Sequence, residues 1–114
     1  MANINLFTNA SRFSKVTQNS KAIAIFLSIA SHKTRNYEQL IGDTNLDLAD
    51  VAPIVRELEE SRFIERNPNP LSNKFKLAFN GQLFAEQLKS SYPEIKELLG
   101  EESLIEPIKV NSKP

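Results

Sequence analysis

The side chains best suited to chemistry in this 114-residue chain are cations and carboxylates, and they are sorted along the sequence. Residues 1–36 carry Arg12, Lys15, Lys21, Lys33 and Arg35 and no acid, a local charge of +5. Residues 37–67 hold eight acids (Glu38, Asp43, Asp47, Asp50, Glu57, Glu59, Glu60, Glu65) against Arg56, Arg62 and Arg66, a local −5. Residues 68–92 return to +2 and 93–114 fall to −2, which brings the total to zero. Clustered cations neutralise phosphates, and the counterions they release make such binding salt-sensitive. Sorted charge becomes a positive surface beside a negative one if it survives folding, and a set of neutralised pairs if the segments interleave.

Other chemistry is poorly served. There is no cysteine, so no disulfide, thiolate nucleophile or thiolate metal site, and the lone histidine, His32, has no partner at metal-ligand spacing. The three glycines, Gly42, Gly81 and Gly100, form neither a P-loop nor a GxGxxG turn. Glu59 and Glu60 are adjacent, so on a helix their side chains diverge by about 100° and cannot work as a catalytic pair. His32 reads more simply as a cation at a helix C-terminus, where the dipole favours it. The chain is therefore expected to be no enzyme and to hold no metal or cofactor.

The elements that must position these charges belong to one domain. A chain of this length with 40% hydrophobic and 25% charged residues suits a single packed core. The longest apolar run, residues 22–30, is far short of the roughly 20 residues that cross a membrane. With no cysteine, a cytoplasmic location and no membrane partner are expected.

Residues 1–19 read as a polar N-terminal arm. Behind a cap at Asn19 or Ser20, the spacing of Ile23, Phe26, Leu27 and Ala30 predicts a core helix over 20–31. A short helix over 36–42 turns Tyr37, Leu40 and Ile41 inward and stops at Gly42, and residues 43–45 make a turn. A third helix runs to about Ser61 with Leu48, Val51, Ile54 or Val55, and Leu58 on one face. Residues 63–66 and 74–77 read as strands around a tip with Pro68 and Pro70. Helices follow over 80–91 and from Pro93 to a stop at Gly100; residues 101–114 read as a flexible tail, though Leu104, Ile105, Ile108 and Val110 are too apolar for a mere tail.

From Tyr37 the pattern Tyr37-x2-Leu40-Ile41, turn, Leu46-Asp47, Val51-x3-Val55-x2-Leu58, Phe63-Ile64-Glu65-Arg66 resembles the winged helix-turn-helix of MarR-, ArsR- and PadR-type regulators. Phe79-Asn80-Gly81-Gln82-x3-Glu86 is similar to the segment that leaves the wing in MarR-type proteins. The resemblance covers about residues 20–90. It implies a mostly α, α+β fold: a winged helix-turn-helix domain over 20–79, with a two-stranded antiparallel wing, and C-terminal packing or dimerisation helices over 80–100.

The same resemblance sends the start of the third helix into a major groove. Here that start is Asp47, Leu48, Ala49, Asp50, Ala52, Pro53 and Arg56, with two carboxylates and few donors for base edges. Asp47 and Asp50 have a structural reading as cap and first-turn acid. If Asp47 is the cap, Pro53 falls in the helix interior and costs about 3 kcal/mol unless the helix kinks.

Two functions follow. One is a small transcriptional regulator that binds duplex DNA through phosphate contacts at Lys33, Arg35, Arg56, Lys74 and Lys76. The other is a protein-interaction module, an adaptor or inhibitor, whose third helix presents Asp47, Asp50 and Glu57 to a protein partner. Leu83, Phe84, Leu88, Ile95, Leu98 and Leu99 are candidates for a homodimer interface, or else fold back onto the first helix.

Overall fold

Asn19 opens the first helix: its backbone is extended and its side chain accepts from the N–H groups of Lys21 and Ala22. The structure is a computed structural model, and it describes residues 19–69 and 71–105; most of the N-terminal arm, with Arg12 and Lys15, lies outside them. Helix α1 (Ser20–His32) buries Ala22, Ile25, Phe26, Ile29 and Ala30 along one stripe.

Helix α2 (Tyr37–Thr44) begins with a reciprocal cap. The Asn36 side chain accepts from Gln39 N–H at 2.8 Å, and the Gln39 side chain accepts from Asn36 N–H at 3.0 Å. Gly42 does not end this helix. Asp43 and Thr44, expected in a turn, form its last turn, and Asn45 takes the left-handed conformation with φ 60° while donating to the Ile41 carbonyl. Asparagine tolerates this conformation because its short polar side chain finds local hydrogen bonds, so the cap falls there and not at the glycine.

Helix α3 (Leu48–Glu60) is capped by Asp47, whose carboxylate accepts from Asp50 N–H at 3.1 Å. Val51, Val55 and Leu58 are buried and Ile54 is half-buried. Leu48, expected on the same face, is 53% exposed. As the first helical residue its side chain leans towards the N-terminus, past the helices that cover the rest of the stripe. Pro53 lies inside the helix, where it removes the N–H that would bond the Ala49 carbonyl.

Strands β1 (Ile64–Arg66) and β2 (Phe75–Leu77) pair antiparallel, with Ile64 opposite Leu77, Glu65 opposite Lys76 and Arg66 opposite Phe75. Arg62, at φ 65°, turns the chain out of α3 into this hairpin. Asn67 N–H closes the tip on the Lys74 carbonyl. Arg35, between α1 and α2, bridges the free edge of β2: its N–H donates to the Phe75 carbonyl at 3.0 Å, and Phe75 N–H donates back at 2.7 Å.

Helices α4 (Phe79–Ser91) and α5 (Pro93–Leu99) return over this assembly. Phe84 enters the core with Phe26 and Phe63, at centroid distances of 5.1 and 5.5 Å. Gly100, at φ 83°, ends α5. The segment that follows differs from the expected free tail as far as residue 105. Leu104 N–H donates to the Glu86 carboxylate at 2.6 Å, the Lys89 ammonium donates to the Glu102 carbonyl at 2.8 Å, and Leu104 packs against the core. The fold is mostly helical with one small antiparallel sheet. Among the described residues no helix is long and apolar enough to cross a membrane.

The two helical glycines should respond to alanine in opposite senses. A Cβ at Gly81 runs into the backbone carbonyl of Phe63, while one at Gly42 meets nothing within 4 Å. Gly81→Ala is expected to cost about 2–3 kcal/mol as overpacking against backbone, and Gly42→Ala to add about 0.5–1 kcal/mol through helix propensity. Urea denaturation of both variants checks the pair.

Candidate nucleic-acid interface

The cations singled out by the sequence divide into engaged and unengaged groups. Arg35, only 17% exposed, sets its Nε 2.9 Å from the Asp43 carboxylate. That N–H is poorly aligned for a hydrogen bond, so the contact is foremost an ion pair. Asp43 is a meeting point for α1, α2 and their connection. It also accepts from Ser28 Oγ at 2.7 Å and lies 3.7 Å from His32 Nδ1. The Ser28 hydrogen bond, then the charges of Arg35 and His32, hold the Asp43 carboxyl below the ordinary carboxylate range despite some desolvation. His32 Nδ1 also sits 2.9 Å from the Ser28 carbonyl, within the last turn of α1. Lys76 is 3.7 Å from Glu65 across the hairpin.

Lys33, Arg56 and Lys74 are exposed and form no ion pair among the described residues. Lys33 sits at the C-cap of α1 with φ 74°, Arg56 lies midway along α3, and Lys74 enters β2. The Arg35–Phe75 bridge brings the connection carrying Lys33 beside the strand that Lys74 and Lys76 flank. Residues some forty positions apart thus share one region of the surface.

At the head of α3 the two carboxylates are occupied. Asp47 is turned onto its own helix as the cap, and Asp50 lies 3.5 Å from Lys21 of α1. What α3 leaves outward is Leu48, Ala49, Pro53, Arg56, Glu57 and Glu60. Arg66 is stacked over Phe75, 5.0 Å from its centroid, and hydrogen-bonded to Glu59 at 2.8 Å. That bond, with the Glu59 charge, raises the Arg66 pKa further above its ordinary value. Arg66 is therefore neutralised in place beside the exposed Lys74.

Of the apolar residues with two readings, Phe84 and Leu88 are buried in the chain's own core. Leu83, Ile95 and Leu99 are half-buried, and Leu98 is 55% exposed. Spacing gave no warning of the Ser28–Asp43–Arg35 cluster or of Lys21 meeting Asp50, because each joins separate helices. The buried Lys89 carried a weak signal: Glu86 lies one turn before it, at ion-pair spacing. Compared with protein-family models, with curated proteins and with solved structures, the chain matches none of the three.

Because folding favours ionised Asp43, its contribution to stability is complete above the ordinary carboxylate range and is lost as pH falls through and below that range. Asp43→Asn is expected to lower the urea midpoint at pH 7 and to flatten the loss of stability between about pH 5 and about pH 2. An acid limb as steep in the variant as in the wild type would assign that pH dependence to other carboxylates.

Proposed function

We propose that this chain is a winged helix-turn-helix protein that binds duplex DNA mainly through its phosphates, as a small transcriptional regulator. The supporting observation is the exposed cations Lys33, Arg56 and Lys74, which form no ion pair among the described residues; the Arg35–Phe75 bridge joins the elements that carry Lys33 and Lys74, and Arg56 lies on α3. The order helix, bridging residue, helix, helix, hairpin, helix also suits this fold, with the hairpin as wing and α3 as the groove helix. With Asp47 capping and Asp50 beside Lys21, the two acids at the head of α3 present less charge to phosphate than their sequence suggests. The outward residues of α3 offer one strong base-edge donor, Arg56, so affinity on this reading comes from backbone contacts and sequence preference is weak.

A second reading has its own observation. Leu48 is exposed at the head of α3 beside Ala49 and Pro53, an apolar end suited to a protein partner.

Fluorescence anisotropy of a labelled random-sequence duplex separates the two. Three phosphate contacts correspond to a log–log salt slope of roughly −2.7, a loss of roughly 40-fold in affinity between about 50 and about 200 mM salt. Changing Lys33, Arg56 and Lys74 together to Glu should abolish binding while the urea midpoint stays within experimental error, since all three are exposed. A duplex that fails to bind at the lower salt sinks the DNA reading. Under the second reading Leu48→Ser, not the charge reversal, is the change that abolishes capture of a partner from extract.

A further inference from the structure

Beside the bridge lies a cavity of about 420 Å³, enclosed by the end of α1, strand β2, helix α4 and the segment after α5. Its size falls within the range of small-molecule sites. Its apolar lining is Leu77, Leu99 and Leu104, backed by the buried Ile29. Its polar lining includes two ammonium groups, Lys33 and Lys76, with Glu102 the only carboxylate. The wall that carries Leu104 is fastened: the Glu86 carboxylate takes the Leu104 N–H and the Lys89 ammonium, and Lys89 reaches on to the Glu102 carbonyl. Lys89 is 7% exposed. A buried lysine is retained only when paired, so the clamp ties the enclosure of the cavity to folding.

We propose that this cavity is a binding site for a small amphipathic carboxylate, its apolar body on Leu77, Leu99 and Leu104 and its head group between Lys33 and Lys76. The chemistry of the lining selects this class. A purely apolar ligand would make no use of the positive rim, and a bare anion would leave the apolar lining uncovered. Lys76, 3.7 Å from Glu65, holds a loose pair that a ligand carboxylate can share or displace, and Lys33 has no ion pair among the described residues. The site does not depend on the DNA reading, since its occupancy is measured without nucleic acid.

The test is an amide-shift titration of the ¹⁵N-labelled full chain with decanoate below its micellar concentration, alongside decanol and inorganic phosphate. Decanoate should produce saturable shifts at Thr34, Lys76, Leu99 and Leu104, while phosphate leaves Leu99 and Leu104 unmoved and decanol binds more weakly. The double variant Lys33→Gln, Lys76→Gln should weaken decanoate about tenfold, the effect of two contacts of exposed ion-pair strength. Its amide spectrum away from the cavity should match the wild type, because both side chains reach solvent. The proposal is overturned by any of three results: no saturable shift at these residues, decanol binding as tightly as decanoate, or the double variant binding decanoate unchanged.

Discussion

The pairing of Arg35 with Phe75 is the constraint on which the rest of the molecule depends. Strands of three residues make a hairpin that is marginal by itself in water. This one is held on both edges of β2, by β1 on one side and by two hydrogen bonds to the α1–α2 connection on the other. The Phe75 side chain is buried, receives the edge of Tyr37 at 5.2 Å, and carries the Arg66 guanidinium on its face. One residue of the hairpin thus fixes its position against α1, α2 and the end of α3. Lys33, Lys74 and the cavity lie beside that junction.

Charge separated along the sequence becomes charge interleaved in the fold. Lys21 of the basic segment meets Asp50 of the acidic one, and Arg35 meets Asp43. Within the acidic segment Arg66 meets Glu59, and Lys76 from the next segment meets Glu65. Exposed pairs of this kind contribute about 0–1 kcal/mol each, so their main consequence is for the surface field and not for stability. They remove Arg35, Arg66 and Asp50 from the free charge; among the described residues Lys33, Arg56 and Lys74, with Arg62 and Lys96, form no ion pair. The field that a partner meets is set by this subtraction.

Much of the fold was legible because it rests on local rules. Apolar spacing marked α1 and the buried face of α3, turn formers marked the hairpin tip, and Pro93 and Gly100 bracketed α5. The misreadings have separate physical causes, one local and two tertiary. Gly42 has the residue type of a stop, yet α2 runs on to an asparagine that can adopt the left-handed turn. Leu48 has the spacing of a core residue, yet it is 53% exposed at the head of α3, with no cover among the described residues. Leu104 stood out as apolar in an apparent tail; the carboxylate of Glu86, eighteen positions earlier, and packing against the core hold it down.

By itself the sequence determined the helices, the hairpin, the charge inventory and the absence of thiol chemistry, because periodicity, capping and residue type act over a few neighbouring positions. Which cations stay free, which carboxylates are spent on caps and pairs, and which apolar residues line a cavity were decided only by the tertiary structure. Those properties belong to pairs of groups such as Ser28 with Asp43, Lys21 with Asp50, and Arg35 with Phe75. Their members lie fifteen to forty residues apart, and no local rule of spacing reaches that far.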